Sequence, residues 1–294
     1  MQGKTVIITG ANSGIGKAAA IALARQGAHI VMVCRNPQKG EQAQKETITQ
    51  SANHHIDLHL CDLSSQTQIR QLAQTIIGAY PTINVLLNNA GILMSEKQLS
   101  EDGIEMTFAS NHLSYFLLTN LLLETINATP HARIVNVSSG AHHFVRSVDF
   151  DNLQAEKSFN MWQAYGLSKL GNILFTYELA RRLPKGGTTV NCLHPGVVKS
   201  NFGQKENDVW WVKYGFPLLK PFIRTAEQGA ETSIFLASSP EVEGVTGKYF
   251  DTKKSIKSSS ISYDIQVAAR FWQVSEQLTQ LHQPTSLLSG NIGG

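Results

Sequence analysis

Lys4 to Gln26 reads KTVIITGANSGIGKAAAIALARQ, in which strand-like, glycine-rich and helical textures follow one another. Lys4–Thr9 is a short apolar, β-branched run, the composition of a strand covered on both faces. Gly10-Ala11-Asn12-Ser13-Gly14-Ile15-Gly16 is a glycine turn, and Lys17–Gln26 is alanine-rich and helical. Strand, glycine turn and helix open a βαβ unit suited to a nucleotide. Glycines permit the tight turn and a close approach of backbone to a pyrophosphate, while the helix start presents N–H groups and positive dipole to the anion. The spacing from Gly10 is TGxxxGxG rather than GxGxxG, although Gly14–Ala19 alone reads GxGxxA; a glycine-rich turn of purely structural use is the bland alternative.

Further out, the same alternation repeats. His29–Cys34 (HIVMVC) is a second strand, and its tip reads Cys34-Arg35-Asn36. An acid at this tip would bond a ribose 2′-OH and repel a 2′-phosphate. With no acid and an arginine at hand, the tip favours NADP(H) over NAD(H), unless Arg35 is a solvated loop residue. Lys17 and Lys39 either add to the positive field or are plain surface charges. Pro37–Gln50 is a polar helix with proline in its first turn. Ile56–Cys61 is a third strand, followed by Asp62-Leu63, where Asp62 either accepts from an adenine amino group or caps the next helix with Ser64 and Ser65. That helix carries Ile69, Leu72 and Ile76 as an inward stripe. Ile83–Leu87 is a fourth strand ending in Asn88-Asn89-Ala90-Gly91, where small residues and amides let a cofactor come close, as they would also serve an ordinary turn. Strand and helix units joined by short turns predict an α/β parallel sheet with ligands at the strands' carboxyl ends.

The second half brings chemistry to that edge. Gly103–Asn127 reads as one long helix holding Asn111, either a satisfied core amide or a placed water-binder. Arg133–Val137 is a fifth strand, followed by Ser138-Ser139-Gly140. His142 and His143 would point to opposite faces in strand geometry, and no ligand spacing for a metal accompanies them. A polar connector, Arg146–Met161, leads to Tyr165-Gly166-Leu167-Ser168-Lys169, which opens a helix running to Arg182. Residues four apart share a helix face, so the Tyr165 phenol and the Lys169 ammonium can look into one cleft, where a cation would favour phenolate and make tyrosine an acid/base; such a pair is also met as ordinary surface neighbours. Thr188–Leu193 is a sixth strand, followed by His194-Pro195-Gly196-Val197-Val198-Lys199-Ser200 with a sharp Pro-Gly turn. Asn201–Arg224 is rich in Trp, Tyr and Phe and reads as a lid over an apolar substrate, as core, or as a contact surface for a membrane or partner. Thr225–Ala237 is a helix, Gly247–Phe250 a seventh strand, Lys253–Ser262 a polar loop and Tyr263–Leu281 a last helix. The stretch from Pro284 has no helical period and reads as a mobile tail.

At 294 residues and 42% hydrophobic the chain can bury one large core. A net charge of +3 without a basic cluster argues against nucleic acid as partner. Cys34, Cys61 and Cys192 stand far apart, an odd number without CxxC, as in a reducing compartment. No window supplies about 18 uninterrupted apolar residues, and no leader precedes the first strand, so a cytoplasmic protein without a transmembrane segment is the expectation.

TGANSGIG, CRN, Asp62-Leu63, NNAG, Asn111, Ser138-Ser139, YGLSK and PGVVKS, in this order over roughly residues 3 to 282, resemble the motif series of the short-chain dehydrogenases/reductases. More narrowly, CRN, NVSSGAHH, the long Ser-to-Tyr interval and FTYELARRL resemble the retinol-dehydrogenase-like branch, which reduces lipophilic carbonyls with NADPH. The resemblance implies a single-domain Rossmann fold, α/β, with a doubly wound seven-stranded parallel sheet in the order 3-2-1-4-5-6-7 and helices on both faces. This domain would span 1–283, with 201–224 as substrate lid and 284–294 as flexible tail. It implies Tyr165 as general acid/base, Lys169 as the lysine that lowers its pKa and holds the nicotinamide ribose, Ser139 on the carbonyl oxygen with Ser138 as fallback, and Asn111 fixing a relay water. Gly10, Ser13, Gly14, Ile15 and Gly16 match the pyrophosphate turn, Arg35 the 2′-phosphate contact, Asp62 and Leu63 the adenine pocket, and Asn89, Ala90 and Gly91 the turn beside the ribose. Pro195, Gly196, Val198 and Ser200 match the nicotinamide side, with Ser200 where the family more often has Thr. The implied activity is hydride transfer between NADP(H) and a small lipophilic aldehyde, ketone or alcohol, retinoid- or steroid-like substrates included. Many animal relatives of this branch begin with a membrane anchor that is not seen here, so peripheral membrane contact is the most that is expected. Pairing through the long helices after strands four and five is a family habit, and that surface is also simply a helix face. A non-catalytic NADP(H)-binding sensor on the same fold is the alternative, and such a protein would be expected to lack one of Asn111, Ser139, Tyr165 or Lys169.

Overall fold

A computed structural model describes residues 1–198 and 224–281. Ser200, the aromatic segment up to residue 223 and the tail from Pro284 lie outside the described residues. The opening stretch forms strand β1 (Thr5–Thr9), the glycine turn and helix α1 (Gly14–Arg25). Then follow β2 (His29–Cys34), α2 (Pro37–Ser51), β3 (Ile56–Leu60), α3 (Gln66–Ala79) and β4 (Val85–Asn88). Two of these helix starts have a local side-chain cause: Asn36 caps α2 through Lys39 N–H with Pro37 in the first turn, and Ser65 caps α3 through Gln68 N–H.

The expected long helix from Gly103 is interrupted. Buried Glu105 caps a short α4 (Met106–Phe108) through the Thr107 and Phe108 N–H groups, and a π-helical turn (Ala109–Leu113) precedes α5 (Ser114–Ala128). Next come β5 (Arg133–Val137), a 3₁₀ turn (Gly140–Phe144), α6 (Met161–Arg182) and β6 (Thr189–His194). Helix α7 (Ala226–Ser238), β7 (Tyr249–Asp251), β8 (Lys254–Ile256) and α8 (Ile265–Thr279) complete the described chain.

The sheet order is β3-β2-β1-β4-β5-β6-β7-β8. Strands β1 to β7 pair in parallel, with Val6 opposite both Ile30 and Val85, and Val85 opposite Arg133. An eighth strand corrects the expected seven: β8 pairs antiparallel with β7, inside the stretch Lys253–Ser262 read as loop. The cause is a tight hairpin in which Thr252 and Lys253 both take left-handed φ, +50° and +63°, the geometry that matches strand twist.

Both faces of the sheet are covered, so successive side chains enter different cores. Ile7, Val31, Leu86, Ile134 and Val190 pack with Ile69 and Ile76 of α3, Phe116 of α5 and Phe175 of α6. Val6, Ile8, Met32, Leu87 and Val135 pack with Ala19, Ala20 and Leu23 of α1 and Leu236 of α7. The order reverses between β1 and β4, whose connections leave in opposite directions and open a crevice at the carboxyl ends. No helix among the described residues is long and apolar enough to cross a membrane.

Candidate active site

The crevice begins at the glycine turn. Gly10 and Gly14 take φ of +67° and +52°, and Gly10 N–H donates to Val33 O at 2.8 Å, tying the turn to the tip of β2. A Cβ on Gly16 would stand 2.4 Å from Gly10 O and 2.5 Å from Asn89 Nδ2, so only glycine lets α1 start this close to β1. The N-cap Ser13 makes no side-chain capping bond, and the first turn of α1, which includes Ile15, holds no acid. Its first N–H groups are therefore open to an external acceptor. The donor set fits the pyrophosphate of a dinucleotide.

Asn89 stitches this turn to the next strand. Its Nδ2 donates to Thr9 O at 2.9 Å, and the N–H groups of Asn89 and Ala90 both donate to Thr9 Oγ1. Gly91 follows, half-buried, and the Tyr115 hydroxyl donates to Ala90 O at 2.7 Å. Across the crevice Arg35 is 68% exposed at the tip of β2, its Nη1 3.5 Å from Asp62 Oδ2. Asp62 does not cap α3, whose N-cap is Ser65; its Oδ1 accepts from Ser64 N–H and Ser64 Oγ in the turn ahead of that cap. Leu63 leans on the core, Lys17 pairs with Glu46 at 2.7 Å, and Lys39 N–H donates to the Asn36 cap.

The reactive groups meet where α6 crosses the end of β5. Asn160 caps α6 through Trp162 and Gln163 N–H, setting Tyr165 in its first turns. A Cβ on Gly166 would stand 2.8 Å from Ala141 O, so this glycine lets the 3₁₀ turn lie against α6. Ser138 Oγ donates to Lys169 O at 2.8 Å, fastening the strand end to the helix. Ser139 is left beside the phenol and hydrogen-bonds Tyr165 through its side chain. Lys169 is buried; its Nζ donates to Val137 O at 3.2 Å and stands 5.7 Å from the Tyr165 ring centre and 5.8 Å from that of Tyr115.

Shared facing holds, but the electrostatics differ from the expectation of a phenol lowered by lysine. Burial pushes the largely buried Tyr165 phenol up to about 12, and the Ser139 hydrogen bond pulls it back only in part. Burial likewise lowers Lys169 to about 7. Withdrawal from water is the leading cause of both shifts.

Asn111 is fully buried on the π turn, accepting from Ile92 N–H at 2.7 Å and donating to Ile92 O and Ser168 Oγ. Its own carbonyl accepts from Asn172 Nδ2, which also reaches the Val137 carbonyl bound by Lys169. At the β6 edge, Gly196 takes φ +84° under the Arg224 side chain, Arg224 Nη1 donates to Pro195 O at 3.2 Å, and Val198 bridges to Arg224.

His142 and His143 do not point apart. On a 3₁₀ turn their ring centres lie 4.0 Å apart. The buried His142 engages Ser139 O through Nδ1 at 2.6 Å and accepts Ser259 N–H at Nε2, while His194 Nδ1 accepts Gly140 N–H at 3.0 Å. Burial lowers both imidazoles, His142 to about 4. Sequence reasoning left Tyr115, His142, Asn172 and His194 without a role. Tyr115 alone carried a signal, lying one helical turn beyond Asn111.

The family model for short chain dehydrogenase matches residues 4–209. Human retinol dehydrogenase 14 is 42% identical, over 96% of this chain and 88% of its own length. Human retinol dehydrogenase 13 is 41% identical, over 97% of this chain and 87% of its own. A crystal structure of an uncharacterized protein from Mycobacterium paratuberculosis is 31% identical, covers 96% of each chain and superposes with a TM-score of 0.76. Matches of this extent cover the glycine turn, the Ser139–Tyr165–Lys169 cluster and the sheet that joins them. The chain belongs to the short-chain dehydrogenase family, on its retinol-dehydrogenase-like side, and is therefore an oxidoreductase of alcohols and carbonyls served by a nicotinamide cofactor.

Proposed function

We propose that the protein is an NADP(H)-dependent carbonyl reductase and alcohol dehydrogenase acting on small lipophilic substrates. The observation that carries this reading is the Ser139–Tyr165 hydrogen bond, with Lys169 one helical turn on and the glycine turn at the same sheet edge. The cofactor, when bound, supplies or accepts the hydride. The chain supplies the proton and holds the oxygen. A phenol standing at about 12 keeps its proton at neutral pH, and an alkoxide is a far stronger base than the phenolate left behind, so transfer from the Tyr165 hydroxyl runs downhill in reduction. Ser139 Oγ donates to the same substrate oxygen. In oxidation Tyr165 must first lose its proton, so that direction gains with rising pH.

Tyr165→Phe keeps the ring and deletes the proton. Carbonyl reduction is expected to fall by roughly 10²–10⁴ in kcat/KM, with cofactor binding retained by fluorescence titration. Unaltered reduction would refute the role. NADP(H) preference rests on Arg35, which stands at the tip of β2 with no acid beside it on that strand end and gives Asp62 only one of its donors. Arg35→Ala is expected to lower kcat/KM for NADPH by about 10- to 100-fold while changing NADH little, the size of one or two charge-assisted bonds. An equal loss with both cofactors would count against it. The retinol dehydrogenase relatives support a lipophilic carbonyl or alcohol as substrate.

A further inference from the structure

A cleft of about 520 Å³ is lined by His143, Phe144, Arg146, Trp162 and Gln163. That volume is what a small-molecule site needs, ~300–1,000 Å³. Trp162 lies three residues before Tyr165 and so shares its face of α6, while His143 and Phe144 belong to the 3₁₀ turn that Ser139 caps. The cleft is thus built by the same two segments that carry Ser139 and Tyr165, from the residues next to them on each.

Its chemistry is unusual for a purely apolar ligand. Phe144 is 54% exposed and Trp162 38%, their rings set edge to face at 6.3 Å, a wall of aromatic surface that water covers poorly. Arg146 is exposed at the same cleft, and none of the ion pairs among the described residues engages it. The lining holds an arginine and no carboxylate. A guanidinium fork beside an amide matches a carboxylate with two parallel bonds. A phosphate monoester, with nearly two charges, would be left half compensated by one arginine.

We propose that this cleft is the distal half of the substrate site and selects lipophilic carbonyl compounds ending in a carboxylate. The apolar stem lies along Phe144 and Trp162, the carboxylate meets Arg146, and the carbonyl is at Ser139 and Tyr165. This rests on the reductase reading and narrows its substrate class.

The test pairs two aldehydes of one chain length, decanal and the corresponding ω-oxo acid, in turnover with NADPH. Decanoate and decanol are titrated calorimetrically into the same full-length protein. The wild type is expected to favour the oxo acid in kcat/KM by about tenfold, the worth of one partly solvated charge-assisted pair. Arg146→Gln should erase most of that preference and weaken decanoate by a similar factor, with Arg146→Lys restoring part; Trp162→Ala should weaken decanoate and decanol together. Equal kcat/KM for the two aldehydes in the wild type, or an Arg146→Gln loss shared equally by charged and neutral compounds, overturns the inference. If neither aldehyde is reduced but Arg146→Gln still weakens decanoate, the reductase reading fails and the carboxylate subsite stands. Decanoate binding that Arg146→Gln leaves unmoved removes the subsite even in an active enzyme.

Discussion

A lysine withdrawn from water is costly to keep charged, and among the described residues Lys169 has only the Val137 carbonyl and the faces of Tyr115 and Tyr165 as compensation. Its folded pKa of about 7 lies below the ordinary 10.5 of an unfolded lysine, so between those values the unfolded chain binds more protons and stability rises with pH. Below pH 7 the full penalty is present. Lys169→Met should therefore melt higher than the wild type at pH 6. The margin should shrink as pH rises from 7 towards 10, by up to about 1.4 kcal/mol per pH unit, each kcal/mol being worth ~2–4 °C. The same variant should lose carbonyl reduction, since the site trades stability for function. A margin independent of pH in thermal melts would show that Lys169 carries no such strain. YGLSK was legible in the sequence because a four-residue spacing fixes shared facing. The direction of the pKa shifts was not, because burial is set by Tyr115, Val137 and the Ser139 turn, all distant in the chain.

At the level of elements, the opening strand, turn and helix could be read directly because each has a composition that resists the alternatives. Two features hid. The β7–β8 hairpin turns on Thr252 and Lys253, residues without the usual preference for left-handed backbone, so no glycine or asparagine marks it. The π turn at Ala109–Leu113 adds a residue within a stretch, Thr107–Thr119, that is buried all round, where no solvent-facing side exists for the shift to disturb. It matters to the site, because neighbouring Asn111 and His112 are both turned inward, one to Ile92 and Ser168, the other to Asn172 and Ser275. The glycine turn allows an element-level test. Gly16→Ala forces a methyl group to within 2.4 Å of Gly10 O, so α1 must shift away from β1. A loss of about 1–3 kcal/mol is expected, together with at least tenfold weaker NADPH binding by fluorescence titration. Gly78→Ala in α3, where an added Cβ meets nothing within 4 Å, should instead gain about 0.4–1 kcal/mol. Equal effects from the two substitutions would mean that helix propensity, not approach of the turn, governs both.

Across the whole molecule, alternation of strand and helix was enough to give the parallel order, since right-handed crossovers leave few ways to wind such a chain. Long-range polar ties were not legible, because a histidine's partner depends on packing. His142 is such a tie: it joins the turn after β5 to Ser259, 117 residues away, and packs on Tyr249 of β7 and on His143. With Ser259 N–H donating to Nε2, the proton of the neutral ring is assigned to Nδ1, where it reaches Ser139 O. A second proton would set Nε2–H against Ser259 N–H. Burial, with His143 and His194 nearby, holds the folded pKa at about 4 against 6.5 in an unfolded chain, so the unfolded state binds more protons between these values. The neutral histidine's contribution is complete above pH 6.5 and is lost as pH falls towards 4, at up to about 1.4 kcal/mol per pH unit. Buried His112, lowered to about 3 by the same cause, adds to the slope. Glutamine can replace His142 with an amide N–H for Ser139 O and a carbonyl for Ser259 N–H, and it does not titrate. His142→Gln should therefore melt close to the wild type at pH 7.5 and above it at pH 5. Thermal melts whose separation does not grow on acidification would rule out His142 as the acid-sensitive tie between the turn after β5 and the segment after β8.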